Sequence, residues 1–291
     1  MESGAVSQIK SLMLNAVSRV LSGCPRSWQW RIAGLVARCS ILLGTRPATT
    51  TRINLEYCYP ALSPAELKHR VRASLTQTLM LLLESGIIFH WKEHRLNGLI
   101  GAIHGEELLV EALSRQHGVI LLVPHFGNWE FLALYLGRFN LVALYEPPKQ
   151  QFLEAPIRAS RERTGAKMVP TDRSGLRVAL QTLHDGGLLG VLPDQVPDRR
   201  SGRHVPFFGN PALTMTLVHR LIRQTSAQIL QGSAVRTDSG FDLHFSKVDP
   251  QIGGSDQERA LHLLNQEIEK LIEKAPDQYQ WEYKRFKAPP K

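Results

Sequence analysis

Val119-Ile120-Leu121-Leu122-Val123-Pro124-His125-Phe126-Gly127-Asn128-Trp129-Glu130 is an apolar run that ends in a histidine, with a carboxylate five residues later. The run is short and rich in β-branched residues, so it reads as a buried strand. Gly127 and Asn128 are turn and helix-cap residues, and the apolar residues from Trp129 to Arg138 recur at helical spacing. His125 is therefore expected at the C-terminal edge of a strand, and Glu130 in the first turn of the helix that follows. In open α/β sheets this edge is where ligands bind.

Asn128 as N-cap would put Glu130 near the positive end of the helix dipole, which favours the ionised carboxylate. A carboxylate facing one imidazole nitrogen fixes the tautomer and raises the basicity of the other nitrogen, which can then take a proton from a hydroxyl. On the spacing alone, two readings carry equal weight. One is His125 as general base with Glu130 as its orienter; the other is a capped helix start with a partly buried histidine.

Working outward, strand and helix patterns alternate. Strands are expected at 119–123, 141–145, 167–169 and 188–192, with helices at 129–137, 151–163 and 174–185 between them. A long loop and a helix at 211–224 follow, then a hairpin of strands 227–235 and 241–248 and a closing helix at 256–274. This order implies an α/β fold, a mostly parallel central sheet flanked by helices on both faces. Upstream, Ser63-Pro64-Ala65-Glu66 is a helix start with cap serine, N1 proline and N3 glutamate. The long helix it opens runs toward Trp91, with a kink expected near Ser85-Gly86. Residues 49–55 resemble a linker entering another short helix, and residues 1–58 read as a basic helical membrane-associating segment separate from a domain at 59–291.

The 291 residues are 43% hydrophobic and 21% charged, the composition of a globular chain. The formal net charge of +9 asks for an anionic partner: nucleic acid, an anionic lipid surface or an acidic cofactor. No nucleic-acid motif is present, so no nucleic-acid partner is expected. Cys24, Cys39 and Cys58 lack paired metal spacing, so no metal site is expected, and an odd count without a secretory signal fits reduced thiols in the cytosol. Trp28 to Gly44, 17 residues interrupted by Arg31 and Arg38, is short and charged for a transmembrane helix. It reads as an interfacial helix on an anionic membrane surface, with a packed amphipathic helix and a tilted span as the other possibilities.

Three further clusters fall near strand ends or the C-terminus. Tyr145-Glu146-Pro147-Pro148-Lys149 precedes Arg158 and Arg161, which share a helix face and suit phosphate or carboxylate groups; a solvated basic face is the plainer reading. Leu192-Pro193-Asp194-Gln195 opens a long loop that continues to Val205-Pro206-Phe207-Phe208-Gly209, mixing arginines with apolar residues. Asp194 should face the same edge as His125. From Pro276 to Lys287 aromatic and basic residues alternate, as either a pocket-lining strand or a packing tail. There is no G-x-S-x-G, H-E-x-x-H or P-loop motif, so direct transfer to a hydroxyl is preferred over a covalent acyl-enzyme.

Together these blocks resemble the bacterial lipid A biosynthesis acyltransferases, the late lauroyl/myristoyl transferase family within the glycerolipid acyltransferase-like superfamily. The shared pieces are His-Phe-Gly-Asn-Trp-Glu at 125–130, Tyr-x-Pro-Pro-Lys at 145–149, Arg-x-x-x-Gly at 161–165, Leu-Pro-Asp-Gln at 192–195, Val-Pro-Phe-Phe-Gly at 205–209 and Pro-x-Gln-Tyr-x-Trp with Arg-Phe-Lys at 276–287. The resemblance implies transfer of a fatty acyl chain from acyl carrier protein, or acyl-CoA, to a hydroxyl of a lipid A precursor. It places that activity at the cytoplasmic face of the bacterial inner membrane, in lipopolysaccharide biosynthesis, without a cofactor. It implies His125 as base with Glu130 as partner, and Arg161, Asp194 and Asn128 as substrate-binding positions. Arg158, Arg163 and Lys149 join them as phosphate or phosphopantetheine contacts. Another membrane amphiphile (a lysophospholipid, aminolipid or glycolipid) is the alternative acceptor, and a non-catalytic basic membrane- or carrier-binding protein the alternative class. Where the family carries a hydrophobic N-terminal anchor, Arg31 and Arg38 interrupt this chain.

Overall fold

Every residue of Val119–Leu122 is buried, as a strand covered on both faces requires. The computed structural model describes residues 4–148 and 150–286. In chain order the elements are α1 (Gly4–Gly23), α2 (Arg26–Leu42), α3 (Arg46–Cys58), α4 (Pro64–His90), α5 (Glu93–Asn97), β1 (Ile100–His104), α6 (Glu106–Ser114), β2 (Val119–Leu122), α7 (Trp129–Leu136), β3 (Val142–Tyr145), α8 (Gln151–Glu162), β4 (Lys167–Pro170), α9 (Arg173–His184), β5 (Leu188–Val191), β6 (Gly202–Phe207), β7 (Asn210–Met215), α10 (Leu217–Thr225), β8 (Gln228–Arg236), β9 (Phe241–Lys247) and α11 (Gln257–Lys274). Seven strands form one sheet in the order β1-β9-β8-β2-β5-β3-β4, and every neighbouring pair is parallel except β8 with β9. The expected α/β class, with a mostly parallel sheet between helical layers, is what the chain adopts.

The period of two along β2 divides the core. Ile120 and Leu122 join a cluster with α9, α10 and α11, while Val119, Leu121 and Val123 join a second cluster with α6 and α7. Because β2 sits near the middle of the sheet, the loop after it opens at the centre of the strand edge.

Three local expectations are corrected. The segment from Asn210 is a strand, not the start of a helix over 211–224. Asn210-Pro211 resembles a helix start, but Phe208 (φ 48°) and Gly209 (φ 71°) turn the chain back, and β7 pairs antiparallel with β6. The helix begins only at Leu217. Strand β1, absent from the expected pattern, pairs with β9, and the Asp242 carboxylate accepts the Ala102 N–H at 2.9 Å. Helix α4 runs unbroken through Ser85-Gly86. Gly86 instead lets α1 approach: a Cβ there would lie 2.4 Å from the Ser18 carbonyl oxygen.

Residues 49–55, expected as a linker, lie within α3, and α1, α2 and α3 all pack on α4. Helix α2 turns Gln29, Ala33 and Ala37 inward, small or slender residues at helical spacing that allow close approach. Its large apolar residues point outward: Trp28, Ile32, Leu35 and Val36 are exposed, as are Leu42 and Leu43 at its end. Among the described residues no helix is long and apolar enough to cross a membrane.

Candidate active site

The turn after β2 is held rigidly. Gly127 adopts φ 62°, and a Cβ there would meet the Ala234 carbonyl oxygen at 2.0 Å, so only glycine fits. The Gly127 N–H donates to Gln278 O and the Gln280 N–H donates to His125 O, at 2.9 and 3.0 Å. The aromatic C-terminal stretch thus backs the turn, and Tyr279 and Trp281 lie in the core rather than along the pocket. Asn128 caps α7 as expected, its Oδ1 accepting the Phe131 N–H at 2.9 Å.

The carboxylate on His125 is not the expected one. Asp194 accepts the His125 backbone N–H with Oδ2 and faces Nδ1 with Oδ1, both at 2.9 Å. Among the described residues Glu130 is hydrogen-bonded to Arg161, not to His125. Arg161 Nε donates to Glu130 Oε2 at 2.8 Å and its Nη2 to Oε1, the two-pronged match of a guanidinium to a carboxylate. The sheet explains the difference. Strands β2 and β5 are parallel neighbours with Val119 opposite Leu188 and Leu122 opposite Val191, and the same register carried three residues onward puts His125 opposite Asp194. Glu130, on the first turn of α7, faces the neighbouring α8 that carries Arg161.

Burial works against ionisation of Asp194, but attraction to the His125 ring and the hydrogen bonds from His125 outweigh it and hold the carboxyl below the usual carboxylate range. With Asp194 on Nδ1, that nitrogen carries the proton and Nε2 keeps its lone pair. The Gln195 amide nitrogen lies 3.0 Å from Nε2, placed to donate to it. The Trp129 ring packs edge-on against the imidazole, with centroids 4.8 Å apart.

His125, Glu130, Arg161 and Gln195 all line one cavity of about 610 Å³. That size lies within the roughly 300–1,000 Å³ typical of small-molecule sites. Its inner end is apolar, with Leu136, Leu141, Ala143 and Met168 buried there and Gly190 contributing no side chain. Its mouth is polar, with Glu146, Thr171, Asp198, Ser201 and Arg220 exposed. A slot that is greasy inside and polar at the rim, with an imidazole on its wall, suits an acyl chain whose reacting end stays near the mouth.

The remaining expected contacts are used elsewhere. Asp194 is 1% exposed and serves His125 rather than a ligand. Asn128 is fully buried, its Nδ2 donating to Glu84 at 2.8 Å. Arg158 pairs with Glu162 along α8, outside the cavity lining. Arg163 closes the end of α4, donating to Ile88 O and Trp91 O. Arg163→Ala should therefore lower stability by about 1 kcal/mol in denaturant unfolding and leave turnover intact; a raised KM for acyl donor instead would mark it as a ligand contact. Lys149 lies outside the described residues.

Two features went unanticipated. Gln195 sits inside the Leu-Pro-Asp-Gln block, but its role depends on the His125 tautomer. Glu84 is 1% exposed and bonds Asn128, the buried Arg236 and Arg26. An acid in the apolar run Leu81-Leu82-Leu83-Glu84 was the available signal, since a buried carboxylate demands partners.

A family model of bacterial lipid A biosynthesis acyltransferases matches residues 5–288. The chain belongs to that family. It is an acyltransferase by that membership, and curated relatives carry the same designation. The lipid A biosynthesis palmitoleoyltransferase of Escherichia coli (strain K12) is 29% identical over 251 residues, covering 84% of this chain and 80% of the relative. The lauroyltransferase of the same strain is 26% identical over 265 residues, covering 90% and 86%. The myristoyltransferase is 22% identical over 272 residues, covering 91% and 82%. These relatives differ in the acyl chain they are named for.

Proposed function

We propose that this acyltransferase moves a fatty acyl chain from a carrier thioester (acyl carrier protein, or acyl-CoA) to a hydroxyl of a lipid A precursor. The observation that carries the reading is the His125 imidazole, braced by Asp194 at Nδ1, on the wall of a cavity with an apolar inner end. The names of the relatives support the acceptor class. Nε2 of His125 takes the proton of the acceptor hydroxyl as its oxygen attacks the thioester carbonyl. The tetrahedral intermediate collapses to the ester and expels the thiolate, which recovers the proton from the imidazolium. Arg161, anchored by Glu130 in the same cavity, supplies positive charge for the developing oxyanion. Glu130 thus keeps a place in the site, as the support of a cation rather than of the base.

The work is done at the cytoplasmic face of the bacterial inner membrane. The exposed Trp28, Ile32, Leu35, Leu42 and Leu43 of the α2 region, beside exposed Arg31 and Arg38, suit the interface of an anionic bilayer. The direct test is incubation of the purified protein with acyl carrier protein thioesters and a tetra-acylated lipid A precursor, with product mass as readout. His125→Ala should lose at least about a hundredfold in turnover, as expected for loss of a general base, while unfolding like the parent. Unimpaired activity in His125→Ala would exclude the mechanism.

A further inference from the structure

We infer that the arginine face beside the cavity mouth, formed by α9, the 198–203 turn and α10, is the docking surface for an acidic carrier protein that delivers the acyl thioester. This deepens the proposed function and rests on its carrier-borne donor.

Between residues 171 and 225 the chain has seven arginines, no lysine, no glutamate and four aspartates. Asp194 is buried on His125, and Asp172 is occupied in capping α9. Arg173, Arg177, Arg199, Arg200, Arg203, Arg220 and Arg223 are all exposed. Among the described residues none of the seven makes an ion pair. They also lie together. Thr171, Leu176, Asp198, Ser201 and Arg220 line the same cavity, so each of the three elements carries its arginines at or beside one mouth. The Thr216 N–H donates to Ser201 O at 3.0 Å and ties the turn to the start of α10, which packs on α9.

The arrangement distinguishes between anionic partners. A single phosphate is held by donors that converge on one point; these arginines are exposed and spread over three elements, which fits a row of carboxylates. A bilayer would need apolar side chains to insert. No large apolar side chain between 171 and 225 is among the exposed ones, whereas Met13, Val17, Val20, Trp28, Leu35 and Leu42 of the N-terminal helices are. Charge without exposed apolar side chains suits a soluble acidic protein, and charge with them suits lipid. Docked at this face, a carrier would have its thioester arm at the cavity entrance.

The test is the triple charge reversal Arg177→Glu/Arg200→Glu/Arg223→Glu, at positions that do not line the cavity. Its steady-state kinetics are read with the lauroyl thioester of acyl carrier protein and a tetra-acylated precursor, and its binding to phosphatidylglycerol vesicles is measured alongside. The expected result is a KM for the carrier thioester raised about tenfold or more at low salt, because steering by complementary charge is lost. The kcat at saturation and the vesicle binding should be unchanged, and the parent's KM should rise with added salt. An unchanged KM in a variant of a parent that does use the carrier overturns the docking face and leaves the donor reading standing. A fall in kcat at constant KM, or a loss of vesicle binding, also overturns it. A parent that uses lauroyl-CoA but not the carrier thioester removes the donor reading and the proposal with it, before any variant is made.

Discussion

Asp194→Asn should reduce turnover by about 10⁴-fold, the scale seen when the buried aspartate of a Ser-His-Asp triad is made an amide, in a chain that still folds. The Asn side-chain oxygen can keep the His125 backbone N–H that Asp194 now accepts at 2.9 Å. Its NH2 then faces Nδ1, which must become the acceptor, so the ring proton moves to Nε2. The lone pair that would receive the acceptor's proton is gone, although every heavy atom stays in place. The comparison with Glu130→Gln decides which carboxylate orients the base. A mild effect of Asp194→Asn beside a severe one of Glu130→Gln would return Glu130 to the imidazole and discard the pairing at Nδ1. A second readout is acid unfolding. Because Asp194 is held below the usual carboxylate range, its ionised form favours the folded chain above the unfolded aspartate pKa, near 4. That contribution is lost as pH falls through the lower folded value. Asp194→Asn removes it, so the variant's stability should depend less steeply on pH below about 4.

The sheet was legible where residues carry their own signal. Val119–Leu122, Val142–Tyr145 and Leu188–Val191 are apolar runs buried on both faces, and the turn Thr237-Asp238-Ser239-Gly240 announces the β8–β9 hairpin. The β6–β7 hairpin was not, because its turn uses Phe208 in a left-handed conformation and its second strand opens on a helix-like Asn-Pro. The position of His125 followed from local pattern, but its partner did not. A carboxylate five residues away on the next helix is near in sequence, yet side chains meet across a parallel sheet by register. The offset between Leu122 and Val191 is the offset between His125 and Asp194. That offset exists only once β2 and β5 are known to be neighbours, which no residue in either strand declares. Arg158 shares the helix of Arg161 and Arg163 caps its end, and only their placement around and beyond that helix separates the one that reaches the cavity from those that do not.

Glu84→Ala should cost about 3–5 kcal/mol of stability, the range for removing one partner from a buried ion pair. Glu84 and Arg236 are each 1% exposed in their side chains, with Arg236 Nη2 2.7 Å and Nε 2.9 Å from the carboxylate oxygens. Arg26, from the first turn of α2, adds a contact at 3.3 Å and donates to the carbonyls of Thr237, Asp238 and Gly240. Both guanidiniums lie over Phe241, Arg26 at 5.2 Å and Arg236 at 5.9 Å from the ring centroid. Removing the acid leaves the buried Arg236 beside a second cation, the partly exposed Arg26, with no counter-charge between them, and frees the Asn128 amide that starts α7. Urea unfolding of Glu84→Ala measures the loss. The triple variant Arg26→Met/Glu84→Leu/Arg236→Met tests its origin, because replacing a whole buried ionic cluster by apolar residues is often close to neutral. If the single variant is less stable than the triple, the cost is that of stranded charge. If the triple is the worse of the two, the cluster contributes net attraction, and it holds the N-terminal helices, the β8–β9 turn and the catalytic turn together by that attraction.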